Sequence, residues 1–493
     1  MKKQSFLYGA SILAIASLLC KIMSAILKIP LDRFFLHEAG IAIYQSAYTI
    51  YNVFLAICVT GIPIALSSII AKSEEDRAES LCKSTFAAVS IFTSIFGVLL
   101  IVFSAPLARV LSGGREPLAR TSLIILALSL PFMGIISSRR GYFQGKSDMR
   151  PSAISQLAES FIKVVLGIGV CSVTVKYGIE YGAAGAISGV ALGAVAAAAV
   201  LEIFYRKNKK GKEKASFSDA LRVVKLSVPM TLGAFAFTGV MLADTLTVPK
   251  ILSGCGMGVQ ERMQMMGYLT RANTVYNLPA TIITAFTASA VPSVASAIAT
   301  GDKVKISDNT KKVIKLIFLV SIPCMLGMVV FSKEILSLLY SSAPHWQLLA
   351  LAGVMALVMP YIQTTSALLQ TFGKVWIPIA VSMGAVILKI VLNFFLVKEL
   401  GIEGAPLATV CMFLIVFVIN TLLLSKCVSL KGTGKTVFKI AVCAIAAFLV
   451  AVLLYQIKKS TLFLVGAAGF AVIIYAGGII LTGCIKKEEF LSK

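Results

Sequence analysis

Long apolar stretches follow one another along almost the whole chain, each separated from the next by a few polar residues. The pattern predicts helices at roughly 5–29, 40–70, 80–105, 118–138, 151–175, 181–205, 220–247, 266–299, 312–331, 347–371, 375–397, 402–425, 436–457 and 460–484. A membrane-crossing helix needs about 20 consecutive apolar residues, and these runs meet or approach that length. The fold expected is therefore an all-α polytopic membrane protein of about 14 transmembrane helices. The first run follows Met1-Lys2-Lys3 and extends from Phe6 to Ile29, too long for the apolar part of a signal peptide, so it reads as a retained first helix.

The polar breaks alternate in charge. The termini and even-numbered loops, with their flanks, hold 30 Lys and Arg, against 11 in the odd-numbered loops. Basic loops stay on the cytoplasmic side, so both termini are expected there. The most basic break, Arg206 to Lys214, divides the chain near its middle.

The two halves repeat. Thr49-Ile50-Tyr51-Asn52 recurs as Thr274-Val275-Tyr276-Asn277, and Gly61-Ile62-Pro63 as Ala290-Val291-Pro292. Gln144-Gly145-Lys146 with Pro151 answers to Phe372-Gly373-Lys374 with Pro378, and Gly178-Ile179-Glu180 to Gly401-Ile402-Glu403. Six predicted helices separate the copies, an even number, so they share one orientation. This predicts two six-helix lobes in parallel repeat, a transporter arrangement. The expected organisation is an N-terminal lobe at 1–205, a basic cytoplasmic linker at 206–219, a C-terminal lobe at 220–427 and two further helices within 428–493. Prolines 63, 131, 229, 279, 292, 323 and 360 interrupt predicted helices, and bent helices suit a rocking carrier.

Composition narrows the function. Hydrophobic residues make up 58% and charged residues only 14%, far from a soluble domain. The net charge of +24 is absorbed by the loop asymmetry and by attraction to anionic lipid, so no nucleic-acid partner is implied. Ten scattered cysteines without a C-x-x-C pair, and only two histidines, point to neither a metal nor a cofactor. Gly434-Lys435-Thr436 imitates the end of a phosphate-binding loop, but the glycine required five residues earlier is Ser429.

Five basic residues are left inside predicted helices: Lys21, Lys28, Lys163, Arg271 and Lys389. Glu159 and Asp244 are the clear acids there. Ionisable groups in the bilayer are costly, so they line a cavity, pair with one another or snorkel to an interface. Lys21 and Lys28 are seven residues apart and share a helix face. Lys163 and Lys389 are repeat mates near the midplane, at an offset of 226 residues. Glu159, four residues before Lys163, is placed to neutralise it, and Asp244 is placed to pair with a lobe cation. The positive excess favours an anionic substrate such as a phosphate or pyrophosphate.

Three segments carry a family resemblance. Arg140-Gly141-Tyr142-Phe143-Gln144-Gly145, Met149-Arg150-Pro151 and Ser155-Gln156-Leu157-Ala158-Glu159 resemble the signature region of bacterial polysaccharide exporters. Lys28-Ile29-Pro30-Leu31, Ala47-Tyr48-Thr49-Ile50-Tyr51 and Gly61-Ile62-Pro63 are similar to the group of MurJ-type lipid II flippases and stage V sporulation protein B. Asn393 with Gly401, Gly404 and Ala405 resembles a later signature of the same multidrug/oligosaccharidyl-lipid/polysaccharide exporter superfamily. The resemblance implies a non-enzymatic flippase in the bacterial cytoplasmic membrane with a central cavity and alternating access. Its substrate would be a polyprenyl-(pyro)phosphate-linked cell-wall saccharide, foremost the peptidoglycan precursor lipid II. Cations in the first and eighth helices would hold the headgroup, which points to Lys21, Lys28 and Arg271, with lysine where many relatives carry arginine. Partners would be this anionic glycolipid and membrane lipids, with the chain acting as a monomer or beside cell-wall synthesis enzymes. The alternative is a cation-coupled, multidrug-type antiporter, for which Asp244 and Glu159 would be the coupling acids.

Overall fold

The computed structural model describes residues 6–208 and 216–484. Residues 209–215 of the expected linker lie outside the described residues, as do both extreme termini. All regular structure among the described residues is helical. Nine segments there are long and apolar enough to cross a membrane, or up to eleven if each bent pair is one crossing. The polytopic helical reading is confirmed, and the count of fourteen is not established by these segments.

The chain packs into two compact units. The first comprises Met1–Thr270 with Ile379–Ala408. It opens with α1 (Phe6–Pro30), α2 (His37–Phe54) and α3 (Ile62–Ile70), linked by π-helical turns at Leu31–Leu36 and Leu55–Gly61. These merge what the hydrophobic pattern separates into two helices. His37, at φ 50°, marks the turn between the first and second. The wide turn at Leu55–Gly61 disturbs the ladder of backbone bonds, and side chains meet its carbonyls. Thr231 Oγ1 donates to the Ile57 carbonyl at 3.5 Å, and Ser137 Oγ donates to that of Cys58.

The unit continues with α4 (Glu75–Val102), α5 (Ser104–Ser112), α6 (Arg120–Ser129), α7 (Phe132–Gly145), α8 (Arg150–Thr174), α9 (Ile179–Asn208) and α10 (Phe217–Gly254). Pro131 stands at a 45° bend between α6 and α7, as expected where a ring displaces a backbone donor. The loop expected after 138 is corrected: α7 runs on to Gly145, carrying Arg139 and Arg140 into the helix. Each arginine finds an acid on another helix, so the two charges do not end it. Arg139 Nε donates to Glu202 Oε2 at 3.1 Å, and its guanidinium lies 3.7 Å from the Tyr205 ring centroid.

Glycines let α8 and α9 approach closely. A Cβ on Gly189 would stand 2.7 Å from the Lys163 carbonyl, a contact that only hydrogen at that position permits. The backbone bearing Lys163 is thereby fixed against α9.

The second unit comprises Arg271–Pro378 with Thr409–Lys493. Three helices cross the unit boundaries: α11 (Val259–Thr300), α16 (Trp376–Leu400) and α17 (Gly404–Ser425). The remainder are α12 (Lys303–Val330), α13 (Ser332–Tyr340), α14 (Gln347–Ala352), α15 (Met355–Thr371), α18 (Thr433–Ile457) and α19 (Thr461–Leu481). Its core joins Ile314 and Ile317 of α12 to Tyr361 and Leu368 of α15, Leu424 of α17 and Ile440 of α18. Pro323 in α12 has no N–H for the carbonyl four residues back, Leu319. The Tyr475 hydroxyl donates to that carbonyl at 2.6 Å and ties α19 to α12.

Candidate functional site

In the first unit the structure neutralises Asp244 and Glu159 with basic residues and leaves Lys28 and Lys163 without an acid among the described residues. Lys389 is wholly buried, its Nζ 2.8 Å from Asp244 Oδ1 and 2.7 Å from the Ala405 carbonyl. Asn393 Nδ2 donates to the same Asp244 oxygen at 2.8 Å and to Thr247 Oγ1 at 2.9 Å. The expectation that Asp244 pairs with a lobe cation is met by Lys389. Glu159 departs from the sequence reading: it pairs with Arg140 at 2.9 Å, not with Lys163. Arg140 Nε also donates to Ser155 Oγ at 3.1 Å, so Glu159 and Ser155 both serve the arginine.

Lys163 is thereby left to another set of groups. It is 8% exposed, and its Nζ donates to Ser24 Oγ of α1 at 2.6 Å. The ammonium lies 5.5 Å from the centroid of the Tyr48 ring. Lys28 reaches the same ring from α1, at 6.0 Å, and donates to Gln45 Oε1 at 2.8 Å. Gln45 in turn donates to Thr49 Oγ1 at 3.2 Å, and Tyr44 stacks on Tyr48 at 5.7 Å. Helices α1, α2 and α8 therefore bring two cations onto one aromatic ring with only neutral polar partners. Neither ammonium has a carboxylate within ion-pair distance among the described residues. Mutual repulsion and partial burial both disfavour this arrangement. An anion bound beside them would relieve it.

Lys21 lies on α1 and is exposed. Arg271 belongs to the second unit, where it is buried with its guanidinium 4.9 Å from the Tyr340 ring centroid. Within the first unit, the structure thus joins Lys28 to Lys163 and separates Lys389 from them by giving it an acid.

The family model for the lipid II flippase MurJ matches residues 32–476. The chain belongs to that family. It is 25% identical to stage V sporulation protein B of Bacillus subtilis (strain 168), over 99% of this chain and 98% of that one. It is 23% identical to the lipid II flippase MurJ of the same organism, over 82% and 79%. The solved structure of a lipid II flippase MurJ in an inward closed conformation matches with a TM-score of 0.77, 15% identity and coverage of 95% and 98%, a likeness of fold. This MurJ-family chain is thus a multi-pass membrane transporter.

Several site groups were not singled out from the sequence of this family member. Ser24 and Gln45 lie in apolar runs that give them no role, and Tyr48 enters the sequence reading only within the resemblance segment Ala47–Tyr51. A signal did exist for Gln45: an amide at its depth needs a partner, and Lys28 supplies one.

Proposed function

We propose that this chain moves a polyprenyl-(pyro)phosphate-linked cell-wall saccharide, with lipid II as the substrate, from the inner to the outer leaflet by alternating access. The observation that carries the reading is the convergence of Lys28 and Lys163 on Tyr48 without a carboxylate. Buried and half-buried cations of a transporter that have no acid partner among the described residues are suited to an anion that arrives and leaves. A pyrophosphate supplies two adjacent anionic groups. A hydrogen bond to a charged group contributes about 1.5–3 kcal/mol, enough for each lysine to matter to binding. Lys21, on the same helix as Lys28, belongs to the proposed cationic set, and Arg271 of the second unit is proposed as a further cation for the substrate. Lys389 enters it only if the pair with Asp244 opens.

In this reading the headgroup enters from the cytoplasmic side while the polyprenyl chain stays in lipid. Two lobes, 1–205 and 220–427, rock about the headgroup, with both termini cytoplasmic and the helices within 428–493 accompanying the chain. The antiporter reading draws less support, because Asp244 and Glu159 are each held by a basic residue.

Native mass spectrometry of the full chain purified in mild detergent tests this proposal. A co-purifying polyprenyl-pyrophosphate glycolipid, lost in Lys28→Ala/Lys163→Ala, is the expected result. Retention of that lipid by the double variant would remove these lysines from the site. If the wild type carries none, even when lipid II is added, the substrate assignment fails.

A further inference from the structure

Helix α18 begins without a side-chain cap. Its N-cap residue, Gly432, lies in the left-handed region at φ 88° and has no side chain to accept the first amide hydrogens. Elsewhere in the second unit, Asp302 caps α12 by accepting from the amides of Val304 and Lys305, and Ser460 caps α19 by accepting from that of Phe463. The first amides of any helix lack partners inside it. In α18 the Thr433 amide donates to the Leu430 carbonyl and the Thr436 amide to that of Gly432. The amides of Gly434 and Lys435 have no backbone acceptor among the described residues. The Thr433 hydroxyl oxygen is buried and has no hydrogen-bond partner among them either.

This helix end opens onto a cavity of about 240 Å³ whose other wall is the first part of α12. Lys311, Lys312 and Lys315 line it, facing Gly432, Thr433 and Thr436. Lys311 and Lys315 are four residues apart and share one helix face. Asp308 is the one acid of the lining, and it makes no ion pair with Lys311 or Lys312 among the described residues. Both walls are anchored. Ile314 and Ile317 pack with Ile440 and Ala444 in one core, and Ser307 Oγ donates to the Ser429 carbonyl at 3.0 Å. The volume lies below the roughly 300–1,000 Å³ of a drug-sized ligand pocket, which suits a small anionic group.

We propose that this cavity is a phosphate-binding site, separate from the cations of α1 and α8 and independent of the substrate reading. A helix N-terminus presents free amide donors and the positive end of its dipole, and Lys311 and Lys312 add full charges beside it. The Thr433 hydroxyl supplies a further donor. The site is not a nucleotide-hydrolysis loop, since no strand precedes the helix and Ser429 occupies the position of the required glycine. On the topology expected from loop charge, the starts of α12 and α18 face the cytoplasm, where the leaflet is anionic. The phosphate can come from a phospholipid headgroup or from free inorganic phosphate.

The test uses the full chain and two probes. In the first arm, native mass spectrometry counts phosphatidylglycerol retained from nanodiscs containing phosphatidylglycerol and phosphatidylcholine. In the second, titration calorimetry measures inorganic phosphate binding to delipidated protein in detergent. Lys311→Gln/Lys312→Gln should weaken binding about tenfold or more in one arm, as expected on losing charge-assisted bonds. Lys311→Arg/Lys312→Arg should preserve binding, and Thr433→Val should weaken it with no change of charge. A response in the first arm identifies a lipid headgroup, and one confined to the second identifies free phosphate. Wild-type binding indistinguishable from that of both the glutamine pair and Thr433→Val, in both arms, would overturn the proposal.

Discussion

Lys389 and Asp244 form an ion pair of 2.8 Å in which the lysine is wholly buried, with the Ala405 carbonyl and Asn393 completing the polar shell. Breaking such a pair from one side strands a charge at a cost of about 3–5 kcal/mol, whereas replacing both partners by apolar groups is often neutral. Asp244→Leu and Lys389→Met should each lower the melting temperature in detergent and reduce folded yield. The double variant Asp244→Leu/Lys389→Met should recover most of that loss. Additive losses in the double variant would show that the two groups act separately.

Tyr475 satisfies the Leu319 carbonyl that Pro323 leaves without its helical partner. Leaving a buried acceptor unmet costs about 1–3 kcal/mol. Tyr475→Phe should therefore destabilise the chain by that amount, and adding Pro323→Ala should offset part of it by restoring the helical N–H. Chemical denaturation of the two variants in mixed micelles measures both effects.

Asp302 caps α12 outside the membrane-spanning part of that helix, accepting from Val304 and Lys305 at 3.1 and 3.0 Å. The Lys305 backbone amide first, and then its ammonium, hold this carboxyl below its ordinary value. A carboxyl depressed in the folded state stabilises fully above its unfolded pKa, and that contribution is lost as pH falls through the lower folded value. Hydrogen exchange should show residues 303–306 less protected in Asp302→Ala than in the wild type at neutral pH. The difference should vanish in acid below the lowered carboxyl value, once rates are corrected for intrinsic exchange.

Much of this molecule was legible from hydrophobic runs, because a bilayer leaves few choices for backbone hydrogen bonding. Lys163 and Lys389, matched by repeat offset, occupy the same position in two 25-residue helices, α8 and α16. Their surroundings were not legible. One meets Ser24 and Tyr48 and the other Asp244, and which helix packs beside each is decided by side chains far away in sequence. The hydrophobic pattern ends the fourth predicted helix at 138 because Arg139 and Arg140 before a glycine look like a polar break. Glu202 and Glu159, 63 and 19 residues further along the chain, make them helical and buried. The same blindness to distant partners assigned Glu159 to Lys163, its neighbour on one helix turn.

The central claim is that Lys28 and Lys163 present an anion site to a lipid-linked substrate. The most direct measurement is leaflet translocation of fluorescent lipid II by the full chain in proteoliposomes, compared among the wild type, Lys28→Ala/Lys163→Ala and Lys28→Arg/Lys163→Arg, with equal reconstituted protein and matched melting temperatures. Each lost charge-assisted contact costs about 1.5–3 kcal/mol, so the alanine pair should lose at least about tenfold of the initial rate while the arginine pair keeps a substantial part. An alanine pair that translocates lipid II at the wild-type rate would contradict the assignment.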